Sequence, residues 1–180
     1  MRRSVAVLAA FVVLAGCTDT SANANRPTAP AHSLAPLDSP GGACRLLEYD
    51  TVKATLGLDL AISAAAQQDN TYTCVLQPRG TGFPDLTLAV SPTAADDSVY
   101  KSTVQPKGAT AVAGLGKVGF SAALPASGPA GPGAEVGWLA GNGRLLDLRL
   151  RLAPAATTEQ AAAALPKLVE LAKSIDLNGI

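Results

Sequence analysis

Few residues in this sequence could carry chemistry, and the cysteines are the most informative of them. The chain of 180 residues contains three cysteines, Cys17, Cys44 and Cys74, and a single histidine, His32. An odd number of cysteines in an exported protein leaves one thiol that needs an explanation. The surroundings of Cys17 differ from those of the other two cysteines and supply that explanation.

Cys17 follows a segment that has the three parts of a secretory signal. Arg2 and Arg3 give a positive start, residues 5–15 are apolar, and small residues precede the cysteine. The apolar run is far shorter than the roughly 20 residues that a helix needs to span a bilayer. The sequence therefore predicts a cleaved signal peptide over residues 1–16.

The junction Leu14-Ala15-Gly16-Cys17 resembles the lipobox of bacterial lipoproteins. The resemblance implies diacylglycerol on the Cys17 sulfur, cleavage before this residue, and often a third acyl chain, such as palmitate, on the new amine. Each buried CH₂ contributes about 0.8 kcal/mol, so several chains hold a protein firmly in a membrane. We then expect the mature chain on the extracytoplasmic face of the cell membrane. Two alternatives stay open: an ordinary signal with a chance cysteine, and twin-arginine export directed by Arg2-Arg3.

Residues 17–42 are predicted to form a disordered tether that starts at the lipidated cysteine. Its four prolines lie among alanine, serine, threonine and asparagine, without hydrophobic periodicity. The only histidine, His32, lies in this stretch, and a flexible segment cannot hold an imidazole in catalytic geometry. The exported, folded domain is predicted over residues 43–180.

Cys44 and Cys74 are expected to form a disulfide, because disulfides persist in exported proteins. Closing a loop of this length stabilises a fold by about 3–4 kcal/mol in the chain-entropy model. A metal site is the rival interpretation, but two cysteines without a structured histidine supply too few ligands. A redox-active dithiol is disfavoured, since such pairs usually lie two residues apart. We therefore expect neither a metal nor a cofactor.

Two short motifs have the spacing of nucleotide-binding or catalytic sequences. Residues 114–119, Gly-Leu-Gly-Lys-Val-Gly, have G-x-G-x-x-G spacing, which binds a dinucleotide only between a strand and a helix. Residues 120–125 lack a helical pattern, which favours a glycine turn between two sheet segments. Ser98 and Lys101 have the S-x-x-K spacing of penicillin-recognising serine enzymes. Neither S-D-N nor K-T-G occurs in the sequence, which favours a solvent-facing helical turn.

The charges give no reason to expect nucleic acid as a partner. Basic and acidic side chains number 14 each, and aromatic residues make up 4% of the chain. Asp96 and Asp97 are expected in the first turn of a helix, where the dipole favours negative charge. Asp147, Arg149 and Arg151 share one face of a strand, and either recognise an anion or pair across strands.

Hydrophobic periodicity predicts helices and strands in alternation. Helices are predicted over residues 46–56, with Gly57 as their stop, over 93–104, and from Thr158 onward, where Pro166 kinks the helix or starts a second segment. Strands are predicted over residues 72–76, 86–90, 136–140 and 146–152, with a tight turn at 141–143.

The strand over residues 146–152 has one apolar and one polar face, which is typical of an antiparallel sheet with one face in water. The sequence therefore predicts an α+β fold: a single domain whose antiparallel sheet packs against about three helices, with one disulfide. The glycine- and proline-rich residues 127–133 are expected to form a mobile, exposed loop. We interpret this loop as a tolerated insertion in preference to a binding loop.

The chain resembles a family of actinobacterial lipoproteins, those of domain of unknown function 3558. The shared features are the lipobox, the tether, Cys44-Arg45-Leu46-Leu47 before a helix that ends at Leu56-Gly57, Thr73-Cys74 in a strand, Gly114-Leu115-Gly116, and a C-terminal helix of alanine and leucine. The resemblance covers nearly all of residues 44–176. It implies an exported lipoprotein, and it brings no activity, cofactor or catalytic residue.

Together these features predict a membrane-anchored lipoprotein with a non-enzymatic binding or interaction domain at the cell envelope. Its partner would be a hydrophobic ligand held between the sheet and the helices, or an envelope protein on the open face of the sheet. An envelope-acting hydrolase that uses Ser98 or the carboxylates is one alternative. A structural or antigenic surface protein is the other.

Overall fold

The computed structural model describes residues 41–179 of the chain. The signal peptide predicted over residues 1–16, the lipid on Cys17, His32 and nearly all of the predicted tether lie outside the described residues and stay predictions. Among the described helices, none is both long and apolar enough to cross a membrane.

Helical segments and strands alternate along residues 41–179. In chain order they are a 3₁₀ turn (Gly42–Leu46), α1 (Tyr49–Leu56), β1 (Ile62–Gln68), β2 (Thr71–Gln77), β3 (Asp85–Pro92), α2 (Asp97–Val99), which continues as a π-helical turn (Tyr100–Val104), β4 (Thr110–Ala111), β5 (Val118–Leu124), β6 (Gly133–Leu139), β7 (Arg144–Arg151) and α3 (Thr158–Gly179).

The seven strands form one antiparallel sheet in the order β1-β2-β3-β7-β6-β5-β4. Side chains of a strand alternate between the two faces, so β2, β3 and β7 each bury one row of residues, whereas every residue of β6 is buried. On the face that we call the inner face, the buried rows of β3 and β7 lie side by side: Leu86, Leu88, Val90, Leu146, Leu148 and Leu150. α1 and α3 pack against this face. The predicted α+β class is confirmed.

The predicted disulfide is confirmed. Cys44 and Cys74 are bonded, with their Cα atoms 4.9 Å apart. The bond joins the 3₁₀ turn before α1 to the inner face of β2, where Cys74 is fully buried. It therefore fixes the N-terminal turn, and α1 after it, against the sheet.

The first predicted helix is confirmed, but it starts later than the hydrophobic pattern suggests. Leu46 ends the 3₁₀ turn, and α1 begins at Tyr49. Gly57 ends α1 with a φ of 72°, and its N–H donates to the carbonyl oxygen of Lys53. A positive φ is accessible to glycine without steric cost, which is why the helix stops here.

α3 begins with a reciprocal cap. The Gln160 N–H donates to Thr157 Oγ1 at 3.3 Å, and the Thr157 N–H donates to Gln160 Oε1 at 2.8 Å. The capping residue is therefore Thr157, one position before the predicted Thr158. Pro166 lies inside α3, which is continuous, so it does not start a second segment.

Two elements differ from the sequence-based expectation. The helix predicted over residues 93–104 begins only at Asp97, because Asp96 is extended and its carboxylate accepts the N–H groups of Ser98 and Val99. β1 is not predicted at all. Its residues are mostly alanine, serine and glutamine, and every one of them is exposed, so no apolar alternation marks the strand.

The opposite, outer face of the sheet is partly covered by the segment that contains α2. Tyr100 is fully buried there, with its ring 6.1 Å from that of Phe120. Together with Leu139 these residues form a second, small core. The outer face of β7 was expected to lie in water. Instead, the segment that contains α2 covers part of this face.

Candidate functional site

Ser98 belongs to the cap of α2. Its Oγ donates to Asp96 Oδ1 at 2.7 Å, and the same oxygen accepts the N–H groups of Val99 and Ser98 at 2.9 Å each. The hydrogen bond from Val99, followed by those from Ser98, lowers the pKa of Asp96. Ser98 and Lys101 are both exposed. The S-x-x-K spacing therefore reflects the solvent-facing helical turn that the sequence favours.

The G-x-G-x-x-G segment forms a turn between β4 and β5, as the favoured interpretation predicts. Gly116 has a φ of 56°, and a Cβ at this position would overlap the carbonyl oxygen of Leu139. Its N–H donates to Asp176 Oδ2 at 3.0 Å, and Trp138 Nε1 donates to Asp176 Oδ1 at 3.1 Å. One carboxylate of α3 thus fixes both the glycine turn and the buried indole.

The glycine- and proline-rich loop is only half exposed. Residues 127–129 are exposed, whereas residues 131–133 are buried. The Gly131 N–H donates to the carbonyl oxygen of Leu152 at 3.0 Å, and the Leu152 N–H donates to that of Pro132 at 3.1 Å. The expectation of exposure is therefore wrong for the second half of the loop, which extends the pairing of β6 with β7.

The charged side chains of β7 are paired on the outer face. Arg149 lies opposite Glu135 of β6 and donates to its Oε1 through Nε at 2.9 Å and through Nη2 at 2.7 Å. Arg149 Nη2 also lies 2.6 Å from Asp147 Oδ2. Arg151 donates to the carbonyl oxygen of Pro125 at 2.7 Å. Of the two interpretations offered for these residues, the geometry supports pairing across strands for Arg149.

In this cluster the guanidinium of Arg149 pairs with the carboxylates of both Glu135 and Asp147. Burial raises the pKa of Asp147 to about 7; the negative charge of Glu135 acts in the same direction, and the positive charge of Arg149 opposes both. Asp147 Oδ1 is buried without a hydrogen-bond partner among the described residues, and so is the Tyr100 hydroxyl. Burial, followed by the charges of Asp147 and Glu135, raises the pKa of Tyr100.

A small cavity of about 100 Å³ opens beside the cluster. Its walls are formed by Val104, Phe120, Glu135, Gly137, Leu145, Leu146, Asp147 and Arg149. The Tyr100 hydroxyl lies over Gly137, since a Cβ on that glycine would be 3.2 Å from the hydroxyl oxygen. The cavity therefore lies beside the charge cluster, and Tyr100 is not among the residues that line it.

A second concavity, the apolar pocket, lies where the end of α1, the end of β7 and the first turns of α3 meet. Its volume is about 220 Å³. It is lined by Leu56, Leu58, Leu150, Leu152, Ala163 and Ala164, with Gln160 and Lys167 as the polar members of the lining. This is the position between sheet and helices at which the sequence-based hypothesis places a hydrophobic ligand.

The polar members of the apolar pocket carry one positive charge. Gln160 uses its amide oxygen in the cap of α3. Lys167 is exposed and has no ion pair with another described residue. Asp59, which follows Leu58, is bound to Lys53 at 3.0 Å. The charge of Lys167 is therefore left for a ligand that reaches the pocket from solvent.

Sequence reasoning did not single out Glu135, Tyr100 or the pocket residues. A signal for Glu135 exists, because a tight turn at residues 141–143 pairs Leu139 with Leu145 and hence Glu135 with Arg149. The apolar pocket has no comparable signal. Its lining joins the end of α1 to the end of β7 and the start of α3, both of which lie far from α1 in sequence.

Comparisons with known protein families, with curated proteins and with solved structures give no match for this chain. The resemblance to the lipoproteins of domain of unknown function 3558 therefore stays a prediction. The function has to be argued from the two concavities and from the predicted anchor.

Proposed function

We propose that this protein is a lipid-anchored, non-enzymatic binding module of the cell envelope, and that its apolar pocket holds the chain end of an anionic amphiphile. The observation that carries the proposal is the apolar pocket, where four leucines and two alanines surround a space of about 220 Å³ beside a lysine. Ligand sites in proteins are typically apolar clefts with a small number of polar groups that fix orientation.

The volume of the pocket limits what it accepts. Engineered apolar cavities of about 150 Å³ bind benzene, and pockets for drug-sized ligands start at about 300 Å³. A space between these values holds part of an acyl chain, with the remainder of the molecule outside. Burying about six CH₂ groups contributes about 5 kcal/mol, and because the ligand loses freedom on binding, we expect an affinity weaker than the Kd of about 0.2 mM that this energy alone would give.

Lys167 selects the head group. An amphiphile whose chain enters the pocket places its head near the exposed ammonium of this residue, and no described acidic residue pairs with it. A carboxylate or phosphate head would form an exposed ion pair there. Such a pair contributes about 0.2–1 kcal/mol, so an acid should bind up to about fivefold more tightly than the alcohol of the same length.

Filling the apolar pocket should abolish binding of a simple amphiphile. We expect decanoate to bind the wild-type chain and Ala163→Trp to weaken this binding more than about tenfold, because the indole occupies the volume that the chain would enter. Isothermal titration calorimetry on residues 17–180 with Cys17→Ser measures this, since that chain contains every described residue.

Ala162→Trp is the matched control for this experiment. Ala162 is an exposed alanine of α3 like Ala163, but it does not line the pocket. It should bind decanoate as the wild type does. Lys167→Gln should weaken decanoate binding and leave decanol binding unchanged. Equal binding of decanoate by Ala163→Trp and by the wild type contradicts the proposed site.

The anchor is tested separately. The predicted acyl chains on Cys17 supply the membrane affinity, so Cys17→Ser should move the protein from the membrane fraction to the soluble fraction. Ultracentrifugation followed by immunoblotting measures the distribution. A Cys17→Ser chain that still sediments with membranes argues against the lipid anchor and leaves the apolar pocket untouched.

A further inference from the structure

The two edges of the sheet differ in length. β4 forms one edge and has two residues, whereas β1 forms the other edge and has seven. An outermost strand carries a row of backbone N–H and C=O groups that no neighbouring strand pairs. Residues 61–70 are all exposed, so no other segment within the described residues covers the edge formed by β1.

β1 lacks the features with which proteins prevent an edge strand from pairing with another chain. These features are lysine or other charges, proline, bulges and a short strand. The sequence of β1, Ile-Ser-Ala-Ala-Ala-Gln-Gln, contains neither a charge nor a proline. Its seven residues pair one to one with those of β2, from Ile62 opposite Gln77 to Gln68 opposite Thr71, without a bulge. The edge is therefore regular, uncharged and open.

We propose that β1 is the interface at which a second copy of this chain binds. The two β1 strands pair antiparallel about a two-fold axis at Ala65 and join two sheets into one. In this register Ala65 faces Ala65 of the second copy, Ile62 faces Gln68, and all seven residues of the strand take part. The inference does not depend on the apolar pocket or on the predicted lipid anchor.

The charges beside β1 favour this register. With the axis at Ala65, Asp69 of one copy faces the uncharged Ala61 of the other. Moving the axis by one residue, to Ala64, would bring Asp59 opposite Asp69. Like charges directly opposite each other destabilise a pair of strands. The register that overlaps all seven residues of β1 therefore also avoids this repulsion.

The same edge is less suited to an extended segment of another protein. When a peptide adds a strand to a sheet, backbone hydrogen bonds provide affinity, and pockets for its side chains provide specificity. Neither the apolar pocket nor the small cavity is lined by a residue of β1. An uncharged strand also offers no charge by which such a partner could be selected. A two-fold pair needs neither feature, because the strand is complementary to itself.

Sedimentation equilibrium tests the proposal in solution. The chain of residues 17–180 with Cys17→Ser is measured at concentrations up to about 1 mM, at which we expect a dimer. Ala65→Lys places two ammonium groups opposite each other at the axis and should weaken the dimer about tenfold or more. Ala111→Lys is the matched control, since it adds the same charge at an exposed alanine of the other edge strand, β4. It should dimerise as the wild type does.

A mixture of two variants tests the register. Ala65→Glu alone should also weaken the dimer about tenfold, because two carboxylates then meet at the axis. An equimolar mixture of Ala65→Glu and Ala65→Lys should dimerise about tenfold more tightly than either variant alone, since an ammonium then faces a carboxylate. This recovery requires that the two residues at position 65 face each other.

Three results would overturn the proposal. The first is a wild-type chain that stays monomeric over the whole concentration range, which would leave the edge to an extended segment of another protein. The second is equal dimerisation of Ala65→Lys and the wild type. The third is a mixture that dimerises no more tightly than its components. Circular dichroism checks folding, and Ala66→Lys mixed with Ala64→Glu provides the same comparison on the outer face if the variants at Ala65 unfold.

Discussion

Replacing Cys44 and Cys74 together by alanine is expected to lower the free energy of unfolding by about 3–4 kcal/mol. The two residues are 30 positions apart. The bond removes conformational entropy from the unfolded chain, and this loss grows with the logarithm of the number of residues in the closed loop. Typical domains are stable by only about 5–15 kcal/mol, so this loss is a large part of the total. Urea denaturation at neutral pH measures it.

Reduced wild-type protein is the control that separates the covalent bond from the packing. Cys74 is fully buried, and its replacement by alanine also removes a sulfur atom from the core. Reduction breaks the bond and keeps both sulfurs. If the chain-entropy account is right, reduction alone should produce most of the loss, and the slope of free energy against urea should rise because the unfolded chain expands. A loss below about 1 kcal/mol on reduction contradicts it.

The strands of the inner core could be predicted from sequence because burial on one face imposes a period of two. β7 shows this most clearly: Leu146, Leu148 and Leu150 alternate with Asp147, Arg149 and Arg151. The α+β class and the disulfide follow from such local signals together with the predicted export signal. β1 carries no such signal, since an exposed edge strand buries neither face.

The charge cluster of Glu135, Asp147 and Arg149 could be predicted only in part. Its members are brought together by the register of neighbouring strands, which their spacing in the sequence does not reveal. The pattern of β7 places Asp147 and Arg149 on one face, but whether that face is open depends on which segment covers it. Tyr100 covers it from a segment whose helix is shorter than predicted and ends in a π-helical turn. No period in the sequence connects Tyr100 with Asp147.

The same geometry leads to an expected dependence of stability on pH. The free energy of unfolding should fall as pH rises from about 4 to about 7. Burial raises the pKa of Asp147 from 3.8 to about 7, so the folded state binds more protons than the unfolded state between these values. Stability then decreases with pH by up to about 1.4 kcal/mol per unit.

The groups that face Asp147 determine this behaviour. Arg149 of its own strand favours the charged form, whereas Glu135 of β6 opposes it. On β3, the residue in register with Asp147 is Ala89, which carries no charge. Tyr100 lies near Asp147 and Glu135 on the outer face of the sheet. Burial also raises the pKa of Asp85, which adds a contribution of the same sign at the lower end of the range.

Asp147→Asn isolates the contribution of this one group, because asparagine keeps an oxygen for Arg149 and does not titrate. The free energy of unfolding of the variant minus that of the wild type should increase by about 2–4 kcal/mol when the pH is raised from 4.5 to 8. Urea denaturation at several pH values measures this difference. Asp97→Asn, at an exposed position near the start of α2, serves as the control and should show no such change. Parallel pH profiles for Asp147→Asn and the wild type would mean that the carboxylate is ionised throughout the range, and that Arg149 balances it better than its burial suggests.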